Sequence, residues 1–514
     1  MLPRYNRVRS LLAALGAASL FAFAIGTAMA APGNAPAART EKTKSVPKGE
    51  IESARRNYEE ITKFYGVYED QGIQDYVNAI GQRVARHSDM PDMEWHFTVL
   101  DDGSINAFTT GGGYVYVFRG LLAYMNSEAE LAGVIGHEIA HVTQRHPSKG
   151  QGRSILANIL AIGAAVMTGN AAVADMASIG AGAWVQGYGR EAESEADRFG
   201  MVYMTRAGYD PKAMKSMFET LKAQESFEIA SARKEGREPH VYHGVFSDHP
   251  APDDRAAAAA RAAALVTDVP EGGFVINRNT FMQAVDGMAY GTSRAQGVVR
   301  DNRFYHADMG ITMAFPRGWL IENQRDRILA YNTNQSTTQA SYQAGQVRPE
   351  SVMQISVDPR PENKAPREFL IEKLKRSLAG GEPVTINGMD GYSVLSREGS
   401  PLDNGAGPVR YIVLYRGKSA FIFAGASRSG RNGKPEADGL FRSVAETMRD
   451  LKPAEFPLAE PYRLKILRAT DKTRLAEYAE NIPAEKYHVE ELELINAVYP
   501  HKKLPVGEYI KVVE

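Results

Sequence analysis

The stretch LAGVIGHEIAHVTQRH, Leu131 to His146, sets two histidines four residues apart with a glutamate beside the first. On a helix, positions i and i+4 lie about 40° apart, so His137 and His141 point the same way and both imidazoles reach one cation. Glu138 sits one position round, where a carboxylate can act as base toward a water on that cation. Ser127, with Glu130 three residues later, supplies a capping box just before the apolar run, and His146 with Pro147 marks the other end. His146 falls off the two-histidine face. It is either a cation facing the C-terminal dipole of the helix or a group that braces a ligand from behind.

A catalytic zinc takes three protein ligands and keeps a fourth position open, so the chain must supply one more. The three-histidine pattern fails, because Gln144 and Pro147 stand where it needs glycine and histidine. Between Val142 and Arg190 the only carboxylate is Asp175, inside an Ala- and Gly-rich apolar stretch. The next carboxylates come in REAESEADRFG, Arg190 to Gly200. There Glu193 and Asp197 share a helix face with Ala196 and Gly200, and small residues on that face permit close approach to the histidine helix. Glu193 is the expected third ligand, and Asp197 the acceptor for a ligand histidine's free N–H. Glu191 and Glu195 lie on another edge that can stay solvated.

The surroundings of this motif set its compartment. Arg4, Arg7 and Arg9 precede the apolar run LLAALGAASLFAFAIG, and Ala28 to Ala30 offer a small-residue cleavage site: a secretory signal over residues 1–30, with an uncleaved anchor as the alternative. The chain has 514 residues and no cysteine, so disulfides and a cysteine-borne lipid anchor are both excluded. A net charge of -1 leaves no electrostatic footprint for nucleic acid. A Gram-negative periplasm is the expected location.

The expected architecture is multidomain. A flexible linker (31–50) leads into a mainly α zincin-type α+β metallopeptidase domain with a small sheet (51–268). A connector (269–303) follows, then an α+β accessory domain with an antiparallel sheet (304–453) and a small βααβ module (454–514). Glycines Gly111 to Gly113 read as a turn between two strands, and YVYVFRG as a sheet edge to which an extended peptide adds as a strand. The apolar stretch 154–188 reads either as packed helices or as a segment touching membrane.

Three segments in order, NAFTTGGGYVYVFRGLL, SEAELAGVIGHEIAHVTQRH and EAESEADRFG, resemble the zinc metallopeptidase family of HtpX and the CAAX prenyl protease, in its soluble exported bacterial branch. The resemblance covers roughly residues 51–268. It implies one Zn2+ per chain on His137, His141 and Glu193, with Glu138 as general base. It also implies that the downstream DHPAPDDR places Arg255 near the metal-binding carboxylate and His249 on the open side of the metal, as a donor or as a plug. The implied activity is endopeptidase cleavage of unfolded or misassembled envelope proteins in quality control. The alternative is a zinc-containing chaperone or assembly factor for outer-membrane proteins with little turnover. The last unit resembles a degenerate LysM module, which implies peptidoglycan as a partner beside the polypeptide substrates and the outer-membrane assembly machinery.

Overall fold

The computed structural model describes residues 46–146, 190–235, 252–323, 327–332 and 350–514, apart from short stretches at 376–377, 379, 398, 401, 403–407, 428–436 and 482–486. The expected signal segment, most of the expected linker and the apolar stretch 154–188 lie outside the described residues.

Helix α1 (Lys48–Tyr65) buries Ala54, Asn57, Ile61 and Tyr65, the three- and four-residue spacing of an amphipathic helix. Helix α2 (Gln71–Ala85) starts where the Asp70 carboxylate accepts the Ile73 amide, and it buries Ile73, Val77, Ile80 and Val84. Strands β1 (His96–Leu100), β2 (Ala107–Gly111) and β3 (Tyr114–Phe118) form a small sheet in the order β1-β3-β2. Gly111, Gly112 and Gly113 all take positive φ, at 80°, 61° and 92°, and make the turn between β2 and β3.

YVYVF is therefore central, not an edge. It pairs in parallel with β1 and antiparallel with β2, and all five of its residues are buried. The reason lies in its alternation, which is apolar on both faces. Tyr114, Tyr116 and Phe118 pack with Ala54, Ile61 and Tyr65 of α1, while Val115 and Val117 enter the main core. The edges are β1 and β2: Val67 and Tyr68 cover part of β1 by a bridge to Leu100 and a bond to the Val99 carbonyl, and no strand pairs with the outer side of β2 among the described residues.

A short helix α3 (Arg119–Tyr124) leads into α4 (Glu128–Thr143), the helix of the two-histidine motif. Every residue of α4 is buried, as in a helix enclosed on all sides. Around it stand α2, the sheet, α5 (Arg190–Arg206) and α6 (Lys212–Glu235), with α7 (Pro252–Ala264) against α5 and α6.

The expected connector is structured: α8 (Arg278–Val285), β4 (Ala289–Tyr290) and β5 (Val298–Arg300) fall inside it. Strand β5 opens a four-stranded sheet with β6 (Arg303–His306), β7 (Ile311–Ala314) and β15 (Arg449–Asp450). A larger sheet is built from β8 (Leu320–Asn323), β9 (Arg327–Asn332), β10 (Ser351–Pro359), β11 (Glu382–Ile386), β12 (Met389–Ser396), β13 (Val409–Arg416) and β14 (Ser419–Ser427). Its order is β11-β12-β13-β14-β10-β9-β8, antiparallel throughout. In the last sixty residues, β16 (Tyr462–Arg468) and β17 (Tyr509–Val513) pair antiparallel, and β4 adds to β16 as a third strand. Leu464, Leu492, Ile495, Ile510 and Val512 belong to the same hydrophobic cluster as Val77, Val117, Leu131 and Met214. The C-terminal strands thus share the core that surrounds α4.

Candidate metal centre

Helices α4 and α5 meet at glycines. A Cβ on Gly200 would lie 2.7 Å from the His137 amide nitrogen and 2.9 Å from the Gly136 carbonyl carbon; one on Gly136 would lie 2.8 Å from the Gly200 carbonyl oxygen. Side chains at either position would force the backbones apart. That contact brings in Glu193, two turns before Gly200 on the same face. Its Oε2 lies 3.4 Å from His137 Nε2 and its Oε1 3.5 Å from His141 Nε2, while the two Nε2 atoms are 2.9 Å apart. His137, His141 and Glu193 are the group of ligand-type residues that converges within 4.8 Å among the described residues, and all three are buried.

Outer partners fix the protons. His137 Nδ1 lies 3.0 Å from Asp197 Oδ1. Arg255 Nε donates to Asp197 Oδ2 at 2.7 Å, and a second guanidinium nitrogen donates to Oδ1. Burial opposes ionisation of Asp197, but the Arg255 charge and the hydrogen bonds from His137 and Arg255 outweigh it and hold the carboxyl below its usual value. An ionised carboxylate only accepts, so His137 carries its proton on Nδ1 and turns the Nε2 lone pair toward the Glu193 oxygens. Two acceptors facing each other in a dry interior repel, and a cation between them removes the conflict. The donor set of two imidazoles and one carboxylate, with no thiolate, matches that of zinc hydrolases.

Glu138 is buried, 2% exposed, on α4 between the two histidines. Arg255 lies with its guanidinium 4.5 Å from the Phe218 ring and one nitrogen 3.9 Å from Glu193 Oε2, so its charge faces the carboxylates of the site. His249 lies outside the described residues. His146 takes the bracing position: Nδ1 is 2.8 Å from His141 Nδ1, and Nε2 is 3.3 Å from Glu195 Oε2. Glu195 keeps a partly exposed side chain, as the edge position allows, and turns one oxygen to His146. Spacing carries no signal for this contact, because it depends on a left-handed residue, Arg145 at φ 65°, that folds the chain back on α4.

Residues 73–263 match the sequence profile of peptidase family M48. A beta-barrel assembly-enhancing protease of Escherichia coli K12 is 32% identical over 199 residues, which cover 37% of this chain and 39% of that protein. A putative beta-barrel assembly-enhancing protease of Vibrio cholerae is 35% identical over 198 residues, with the same coverage of 37% and 39%. The mitochondrial metalloendopeptidase OMA1 of Arabidopsis thaliana is 30% identical over 156 residues, 30% of this chain and 31% of that one. Each of these three matches spans well under half of the relative's length.

Proposed function

We propose, from the peptidase family M48 domain that residues 73–263 form, that this chain is a zinc-dependent endopeptidase of the periplasm. Its substrates in this reading are unfolded or misassembled envelope polypeptides. The observation that carries the reading is the convergence of His137, His141 and Glu193, with the His137 proton directed outward to Asp197. A zinc ion held by these three supplies a Lewis acid that polarises a carbonyl and acidifies water. Glu138 takes the proton of the attacking water and passes it to the leaving amine. Asp197 and Arg255 keep the His137 ring oriented, and buried surroundings strengthen each of these interactions. The open edge of β2 offers backbone groups to an extended peptide, a pairing that suits unfolded chains and selects loosely for sequence.

In this reading His249, as the family resemblance implies, serves the open side of the metal. If it is a plug, His249→Ala raises turnover; if it donates to the substrate oxyanion, the same change lowers it. The names of the bacterial relatives, assembly-enhancing proteases, support an envelope substrate. No helix among the described residues is long and apolar enough to cross a membrane, which is compatible with that setting. For residues 454–514 the reading includes peptidoglycan binding, which a pull-down on purified sacculi tests.

The deciding experiment is casein cleavage by the full chain with and without chelator, beside Glu138→Gln. Chelation stops cleavage in this reading, and Glu138→Gln keeps zinc while losing about 10²–10⁴-fold in turnover. Metal-loaded protein that leaves casein intact yet holds unfolded polypeptide would instead favour the assembly-factor alternative.

A further inference from the structure

His146 is buried, 3% exposed, and unused by the mechanism above. The chain leaves α4 through Arg145 in the left-handed region, and two contacts hold that turn: Arg145 to Glu50 at 2.8 Å, and the His146 amide to the His141 carbonyl at 2.9 Å. The fold-back lays the His146 ring on the His141 ring, with centroids 4.9 Å apart and planes at 70°. One ring nitrogen then meets His141 Nδ1 at 2.8 Å, and the other meets the Glu195 carboxylate at 3.3 Å.

With the His146 ring neutral, proton counting gives this chain one direction. A carboxylate oxygen accepts, so His146 Nε2 carries the hydrogen toward Glu195. The Nδ1 of a neutral ring is then a lone pair, and it accepts the Nδ1–H of His141. The Nε2 of His141 is left as a lone pair, facing His137 Nε2 and Glu193. We propose that His146, itself held by Glu195, is a positioning residue that selects the metal-binding tautomer of His141 and fixes its ring. Asp197 does the same for His137 directly. Helix α5 therefore supplies the metal-binding carboxylate, Glu193, and both outer carboxylates, Glu195 and Asp197. This inference rests on the reading of His137, His141 and Glu193 as a metal site.

The test uses the full chain, Zn2+ competition against a chromophoric chelator, and the visible spectrum of the Co2+ form. His146→Leu fills a similar volume without an acceptor and weakens Zn2+ binding about 10–100-fold, with a changed Co2+ band pattern. His146→Asn places an amide oxygen where Nδ1 stood and recovers most of that loss. Glu195→Ala, at a partly exposed position, weakens binding by less than His146→Leu. A purely space-filling His146 gives the opposite order, with Leu binding metal as tightly as wild type and Asn more weakly, and that order overturns the inference. Should His146→Leu fail to fold, His146→Gly takes its place. Wild-type affinity and spectrum in His146→Gly overturn the inference, and weakened binding that His146→Asn restores supports it. If wild type itself binds no stoichiometric metal, the metal reading falls and takes this one with it. If wild type binds and His146→Leu binds equally well, only the role of His146 is lost.

Discussion

The two ends of α4 bury charge in opposite ways. At the N-terminal end every buried carboxylate is answered by protein donors. Glu128 accepts from Tyr209 at 2.7 Å, Tyr76 at 3.0 Å and Asn277 at 3.1 Å, and Glu130 accepts the Asn126 amide at 2.7 Å. Acidic side chains in the first turn also suit the positive end of the helix dipole. Lys511, fully buried on β17, donates to the Ala123 and Met125 carbonyls at 2.7 and 2.6 Å just before the helix begins. At the other end, the hydrogen on His137 points away from the centre and leaves acceptors facing inward. Buried charge at the N-terminal end is matched from within the chain; at the other end His137, His141 and Glu193 converge as a group that could hold a metal ion.

The strongest way to break this contrast is to remove an acceptor at the metal end. Glu193→Ala leaves two imidazoles and abolishes stoichiometric Zn2+ binding, while the fold survives because Asp197 still answers the Arg255 charge. Elemental analysis with circular dichroism on one sample checks both halves. A variant that binds zinc as tightly as wild type would assign the third ligand elsewhere.

Next comes the glycine contact that delivers Glu193. Gly200→Ala puts a methyl 2.7 Å from the His137 amide nitrogen, so α4 and α5 must separate. Overpacking of this kind costs about 1–3 kcal/mol, and here it also moves Glu193 from the imidazoles. The expectation is a lower Tm together with weaker Zn2+ binding. A fall in Tm with unchanged affinity would mean that Glu193 tolerates the shift.

The same residues separate what was legible in the sequence from what was not. The two histidines that converge with Glu193, and Glu138 beside the first, are local to one helix turn, so spacing alone exposes them. Glu193 emerges by elimination, since no glutamate lies between the motif and the segment that carries it, and Ala196 with Gly200 announces a close-packed face. The antiparallel accessory sheet follows from alternation in SVMQISVDP and VRYIVLYR. What stayed hidden depends on long-range geometry. YVYVF is apolar on both faces, which suits a central strand, but its two partners, β1 and β2, are set by pairing that no local spacing shows. The contact of His146 hangs on one left-handed residue. Nothing in YIKVV announces that Lys511 reaches the start of α4, more than 380 residues earlier in the chain.

Lys511 gives the third prediction, at the structural end. Lys511→Met keeps the volume but strands two carbonyls, at about 1–3 kcal/mol for each group left unpaired. Thermal melting detects the loss, and Zn2+ affinity stays near wild type because the metal end is untouched. A matching fall in affinity would mean that the two ends of α4 are coupled and the contrast between them too sharply drawn.

The smallest effect is a slope with pH. Burial pushes the Glu130 carboxyl up to about 7 from 4.5, against the Asn126 amide bond and the Lys511 charge. Burial likewise pushes Lys511 well below its ordinary value. Because the folded value of Glu130 lies above the unfolded one, the folded chain holds that proton more tightly. The stability it contributes is fully present below pH 4.5 and is lost as pH rises through about 7. Glu130→Gln, whose amide oxygen can still accept the Asn126 amide, removes this dependence. The difference in unfolding free energy between wild type and variant then shrinks by no more than about 3 kcal/mol across that window. Denaturant titrations at several pH values measure it. A flat difference would place Glu130 in contact with water, and the N-terminal end of α4 would then be the wetter of the two, not merely the one whose charges are answered by protein.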